Sequence, residues 1–187
     1  MQAALCAIFC ASVGLAELAT RHHHTGAAAV KAEPTKFGHG VVRGIIHLPA
    51  GWVILKRESI GSTVFVAQEP DTPEHKGRTV ACRVKQLPEV ISPLEYLQTG
   101  DVLDDTMTIV PTGSGSGVEQ VIMDGIPWVI LQITRETADE SENQWIGCCV
   151  LPGGQAITLI MNCPPPEDPD ADRDTFHEFA SSIEFRK

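Results

Sequence analysis

Gly125-Ile-Pro-Trp-Val-Ile-Leu-Gln-Ile-Thr-Arg135 opens the stretch that decides the fold, which ends at Pro164. Gln144-Trp-Ile-Gly-Cys-Cys-Val-Leu151 and Ala156-Ile-Thr-Leu-Ile-Met-Asn162 follow it. Trp128, Val129, Ile130, Ile133, Trp145, Val150, Ile157, Leu159 and Ile160 are residue types that suit a pleated, half-buried surface. Pro152-Gly-Gly-Gln155 is turn chemistry and predicts a hairpin between the second and third segments. Three consecutive strands joined by short connections give an antiparallel meander, and the other apolar segments read as packing on it or extending it.

Upstream, Val42–Leu48 and Trp52–Leu55 have strand character, with Pro49-Ala-Gly51 as a turn between them. Ser62–Gln68 places Val64 and Val66 on one face and Phe65 and Ala67 on the other. Glu69–Gly77 holds two prolines and a glycine and reads as a loop. Thr79–Lys85 alternates, with Val80, Cys82 and Val84 directed one way, the pattern of a strand with one buried face. Val118–Met123 is a further strand, and Asp124-Gly125 is a tight-turn pair leading into Ile126.

Two helices are expected. Ser92-Pro-Leu-Glu95 has the form of a capping box with proline at the first helical position. A helix from Pro93 to about Leu103 would bury Leu94, Leu97 and Tyr96, and Gly100 weakens its end. Pro164–Pro169 reads as a stiff spacer. Asp170-Ala-Asp-Arg-Asp174 then supplies caps and first-turn negative charge for a second helix from about Asp172. Its stripe is Phe176, Phe179, Ala180 and Ile183 at i, i+3, i+4 and i+7. The fold class predicted is therefore α+β: an antiparallel sheet with helices packed on its faces, an α/β/α-type sandwich.

The chain has 187 residues, 43% hydrophobic and 20% charged, with a formal net charge of −10. Such a chain folds as one domain with a full core. The acidic balance argues against a nucleic-acid partner, which needs a basic face to displace counterions. Through Gln86 the chain carries 10 Lys/Arg and 6 Asp/Glu, and after it 4 and 18, so the charge divides as +4 and −14. This asymmetry fits two differently charged faces, or a field that steers a cationic partner.

Ala3–Leu15 is an apolar run too short to span a bilayer, and Gly14-Leu15-Ala16 offers small residues for signal cleavage. No Lys or Arg precedes the run, so the alternatives are a retained apolar anchor or a mispredicted start codon. Residues 1–16 are read as a signal peptide, 17–40 as a flexible linker and 41–187 as the domain, secreted or periplasmic, with no stable membrane span after cleavage. Removal of Cys6 and Cys10 leaves Cys82, Cys148, Cys149 and Cys163. If the hairpin turns at Gly153-Gly154, Cys163 lies opposite about position 144. Cys148 and Cys149, adjacent on a strand, point to opposite faces. The four read as buried free thiols.

Other motifs lead away from specific chemistry. His22-His-His24 is a run of imidazoles outside any rigid frame, unlike a zinc site. Thr112-Gly-Ser-Gly-Ser-Gly117 lacks the Gly-Lys-Ser/Thr ending of a phosphate loop. Glu136–Asn143 is acidic but lacks the spacing of a calcium loop. Nucleophile candidates for a hydrolase are Cys82, Cys148, Cys149, Ser114, Ser116 and Ser181, with His39, His47, His75 and His177 as bases. No Gly-x-Ser-x-Gly elbow lies between a strand and a helix.

Several short phrases together resemble the Mog/PsbP-like superfamily: Leu48-Pro-Ala-Gly-Trp52, the helix after Ser92-Pro93, Asp124-Gly-Ile-Pro-Trp128, Gln155-Ala-Ile-Thr-Leu159 and Phe179-Ala-Ser-Ser-Ile-Glu-Phe185. The resemblance spans about Val42 to Phe185. It implies a binding scaffold with no shared catalytic set. Members include extrinsic subunits of the photosynthetic oxygen-evolving complex, Ran-binding nuclear proteins and many exported bacterial domains. The function expected is an exported, non-catalytic binding or accessory domain that contacts a protein or envelope component. The alternatives are a hydrolase with a Cys or Ser nucleophile and a His base, or a metal-binding accessory protein. No cofactor, catalytic residue or metal ligand is assigned.

Overall fold

A computed structural model of the chain describes residues 34–39, 42–56, 62–73, 76–99, 102–111, 117–136, 141–164 and 168–186. The expected signal peptide, the run His22–His24 and the serines of the glycine-rich loop lie outside these residues.

The strands are β1 (Thr35–His39), β2 (Val42–Ile46), β3 (Val53–Lys56), β4 (Thr63–Gln68) and β5 (Thr79–Gln86) in the first half of the chain. A helix α1 (Pro93–Leu97) separates them from β6 (Met107–Ile109), β7 (Val118–Met123), β8 (Ile126–Glu136), β9 (Ser141–Val150) and β10 (Gln155–Cys163). Helix α2 (Pro169–Ser181) and β11 (Ile183–Arg186) follow. Every described strand pair is antiparallel. One sheet runs β3-β4-β5-β10-β9-β8-β6, with β7 also on β8, and a three-stranded sheet runs β1-β2-β11.

The meander is present as read. Asp124 and Gly125 have φ of 50° and 74°, and Met123 pairs with Ile126 across them. That is a two-residue turn with both central residues in the left-handed region, the geometry whose twist matches a hairpin. At the next hairpin Leu151 N–H donates to Gln155 O (2.9 Å) and Gly154 N–H to Leu151 O (2.8 Å). Cys163 faces Asn143, one position from the expected 144.

The expected α+β class, with helices laid over the faces of the sheet, is corrected. The fold is sheet-rich: of the described residues 54% are strand and 14% helix, in two helices. Much of the cover is a second sheet. Phe37, Val42, Ile46 and Ile183 from β1, β2 and β11 share one core with Phe176, Phe179 and Ala180 of α2 and with Trp52, Val64, Phe65, Val80, Trp128 and Trp145. The opposite face of the large sheet holds a second core of Val129, Leu131, Ile133, Ile146 and Cys148, covered by Leu87, Tyr96, Leu97 and Val102 from α1 and its flanks.

Helix α1 stops six residues before the expected Leu103. Thr99-Gly-Asp101 contains poor helix formers, and the Thr99 hydroxyl donates to Tyr96 O (2.7 Å), occupying a terminal carbonyl. The capping box is present: Glu95 N–H donates to Ser92 Oγ (3.1 Å) and Ser92 N–H to Glu95 Oε2 (2.9 Å). Ser92→Ala is expected to cost about 1 kcal/mol, read as a shift of the urea midpoint.

Helix α2 starts earlier than expected. Asp168 is its cap, accepting from Ala171 N–H, and Pro169 is its first residue rather than the end of a spacer. Folded structure also begins earlier than Val41, since Thr35–His39 pairs with β2 within the stretch read as linker. In β4 a register shift between Thr63 and Phe65 buries Val64 beside Phe65. The strict alternation expected there is interrupted, as a bulge does.

Candidate binding cleft

Cross-strand pairing assembles a polar row at one end of the large sheet. Gln68, the last residue of β4, pairs with Thr79, the first of β5. Thr79 pairs with Asn162 of β10, and Asn162 Nδ2 donates to Thr79 Oγ1 (3.3 Å). Direct partners share a sheet face, so three separated segments form one floor. Above it is an open cleft of about 980 Å³, walled by Asp71–Pro73, Lys76 and Gly77 and by Ser141, Glu142 and Asn143 at the start of β9.

The loop wall is held firmly. Glu69 N–H donates to Arg78 O (2.9 Å) and Gly77 N–H to Asp71 Oδ1 (2.8 Å). A β-carbon on Gly77 would lie 1.9 Å from Glu69 O, so the two arms of the loop approach as only glycine permits. Arg78 fastens the loop to α2: its Nε donates to Asp172 Oδ1 (2.6 Å) and its Nη1 to Glu69 Oε2 (3.0 Å). Burial disfavours the guanidinium charge, but its bonds and charge pairing with Asp172 and Glu69 outweigh that and raise its pKa.

A second polar cluster ties β7 to α2. Arg173 Nη2 donates to both oxygens of Glu119 (3.0 Å each), and His177 Nε2 is 3.3 Å from Glu119 Oε2. Burial opposes the Glu119 charge, yet the Arg173 bonds and the His177 charge hold its carboxyl below the usual range. This accounts for His177, read from sequence as a candidate base.

The other catalytic candidates are kept apart. Cys82, Cys148, Cys149 and Cys163 are buried and form no disulfide with one another. Cys149 lies in the first core and Cys148 in the second, on opposite faces as read. Burial pushes the Cys82 and Cys148 thiols up to about 12 and Cys149 well above its ordinary value. A thiol so shifted presents almost no thiolate at neutral pH. His47 Nε2 is 3.5 Å from Glu184 Oε1, and Ser181 Oγ donates to Glu178 O (3.0 Å). Ser114, Ser116, His75 and the His39 side chain lie outside the described residues. Among the described residues no group of three His, Cys, Asp or Glu is placed to hold a metal ion. We predict that iodoacetamide leaves Cys82, Cys148 and Cys149 unmodified in the native protein at pH 8 and alkylates them in denaturant, resolved by peptide mass. Fast native labelling of any of the three would contradict their burial.

The cleft residues escaped the sequence reading. The segment 69–77 was legible only as a loop. Gln68, Thr79 and Asn162 are polar residues at strand ends, and only long-range register brings them together.

Solved structures share this architecture. PsbP (CyanoP) from Synechocystis sp. PCC 6803 superposes with a TM-score of 0.51 at 12% identity, over 76% of this chain and 86% of that one. LpqN, "involved in cell envelope biogenesis of Mycobacterium tuberculosis", superposes with a TM-score of 0.58 at 16% identity, over 83% of this chain and 91% of that one. Both are PsbP-like folds. The fold of this chain is PsbP-like. Neither structure is a Mog protein, so that half of the expected resemblance has no support here. No protein-family model and no curated protein matches the chain by sequence.

Proposed function

We propose that this PsbP-like chain is an exported, non-catalytic accessory domain of the cell envelope that acts by binding a partner. The observation that carries the reading is the open cleft built on the ends of β4, β5, β9 and β10. Groups fixed on strand ends are ordered before a ligand arrives, which lowers the entropic cost of binding. The described candidate nucleophiles are sealed in the cores or bonded to backbone, which leaves binding as the use of the accessible polar groups. Export is supported by the apolar run Ala3–Leu15 and by the involvement of LpqN in cell envelope biogenesis. No helix of the described residues is long and apolar enough to cross a membrane.

The test has two arms. Residues 1–40 fused to a reporter enzyme that is active only after export should yield activity outside the cytoplasm. The tagged full chain, incubated with its own envelope fraction, should retain a component that a Gln68→Leu/Asn162→Leu variant of unchanged melting temperature does not. Equal retention by both forms, together with turnover of a generic ester or peptide by the wild type, would reverse the reading.

A further inference from the structure

We infer, resting on the binding reading above, that the cleft takes a neutral polyhydroxylated ligand, a short stretch of oligosaccharide. The chemistry of the lining carries this. Gln68, Asn143 and Asn162 contribute carboxamides, and Thr72, Thr79 and Ser141 contribute hydroxyls. A carboxamide places a donor and an acceptor side by side. Two vicinal hydroxyls present the complementary pair, because each hydroxyl both donates and accepts. Asp71 and Glu142 add carboxylate acceptors, the strong partners for hydroxyl donors.

Other ligand classes fit worse. Among the described lining residues two carboxylates stand against the single ammonium of Lys76. Among the described lining residues there is no arginine fork, so phosphate and sulfate meet neither the charge nor the bidentate geometry they need. A volume of about 980 Å³ is at the upper end of small-ligand sites and far exceeds what one ion fills.

The lining retains bonding capacity. Gln68 makes no side-chain hydrogen bond among the described residues. Asn162 uses its amide nitrogen on Thr79, and no described residue donates to its carbonyl oxygen. Gln68 is half-buried, and its carboxamide keeps its donors and acceptor available to a ligand. Gln144, the partner of Asn162 on β9, is buried and donates to Glu142 Oε2 (3.5 Å) in the wall.

The experiment is titration of the full isotope-labelled chain with chitotriose and with maltotriose, followed through the side-chain amide signals of Gln68, Asn143 and Asn162. A sulfated heparin tetrasaccharide is the charged comparison. Saturable shifts are expected with at least one neutral trisaccharide and not with the sulfated one. Gln68→Ala, whose side chain has no internal partner to lose, should weaken the affinity by about tenfold with the melting temperature unchanged. Asn162→Ala should do the same. Absence of saturable shifts with both neutral sugars, tighter binding of the sulfated probe, or undiminished affinity in both variants would overturn the assignment. If the sugars fail while the envelope fraction still yields a component retained through Gln68 and Asn162, the ligand class falls and the binding reading stands.

Discussion

Phe176→Ala should lower the unfolding free energy by about 3–5 kcal/mol, the range for deleting a fully buried aromatic ring. Phe176 is 0% exposed, and its ring centroid is 6.3 Å from that of Trp145 at an interplanar angle of 30°. It seats α2 on the large sheet. The site has little freedom to collapse, because its floor is paired strand backbone. That floor includes Gly147, where a β-carbon would meet Phe176 Cζ at 2.8 Å and Cε1 at 2.9 Å. The missing side chain at 147 and the ring at 176 therefore share one volume. Gly147→Ala alone should cost about 1–3 kcal/mol by overpacking. In the Phe176→Ala background the same methyl enters vacated space and should cost nothing or recover part of the loss. Urea denaturation of the four proteins, with a common m-value, measures the coupling. Costs that add within about 0.5 kcal/mol would show that the two residues do not compete for space.

Local pattern and long-range assembly differ in what a sequence records. Val80, Cys82 and Val84 are buried as their alternation requires, and the Asp124-Gly125 and Pro152-Gly-Gly turns sit where turn chemistry placed them. Trp52, Trp128 and Trp145 are core residues, as large aromatics tend to be. The helix-covered sandwich failed because the Phe176 stripe is a local signal whereas the remaining cover is not. β1 has a single large apolar residue, Phe37, among Thr35, Lys36, Gly38 and His39. It becomes a strand only because β2 offers it an edge. The pairing of β11 with β2 closes a sequence separation of more than a hundred residues. The cleft was hidden for the same reason. Residues 68, 79 and 162 share no spacing that means anything until register aligns them.

Breaking the Arg78 cluster should be the next most damaging change. Arg78→Ala is expected to cost about 3 kcal/mol, the lower end of the cost of removing one partner from a buried ion pair. The gradient of exposure sets that figure: the Asp172 side chain is 7% exposed, Arg78 18% and Glu69 25%. Loss of the guanidinium strands the Asp172 carboxylate against the sheet and leaves Glu69 on the solvent side, so most of the penalty belongs to Asp172. Arg78→Lys should fall between, because one ammonium cannot reproduce a fork that spans two carboxylates. The informative comparison is Arg78→Met/Asp172→Leu. If the penalty is the desolvation of an orphaned charge, the double variant is more stable than Arg78→Ala although it lacks more of the native cluster. Native-state hydrogen exchange at the Gly77 and Arg78 amides should report the cleft wall separately, since those amides bond to Asp71 and Glu69. Their protection should fall in Arg78→Ala even at temperatures where the global fold is intact. An Arg78→Ala variant within about 1 kcal/mol of wild type would place the cluster among surface pairs. In that case the loop wall would owe its position to the Gly77 close approach and its backbone bonds alone.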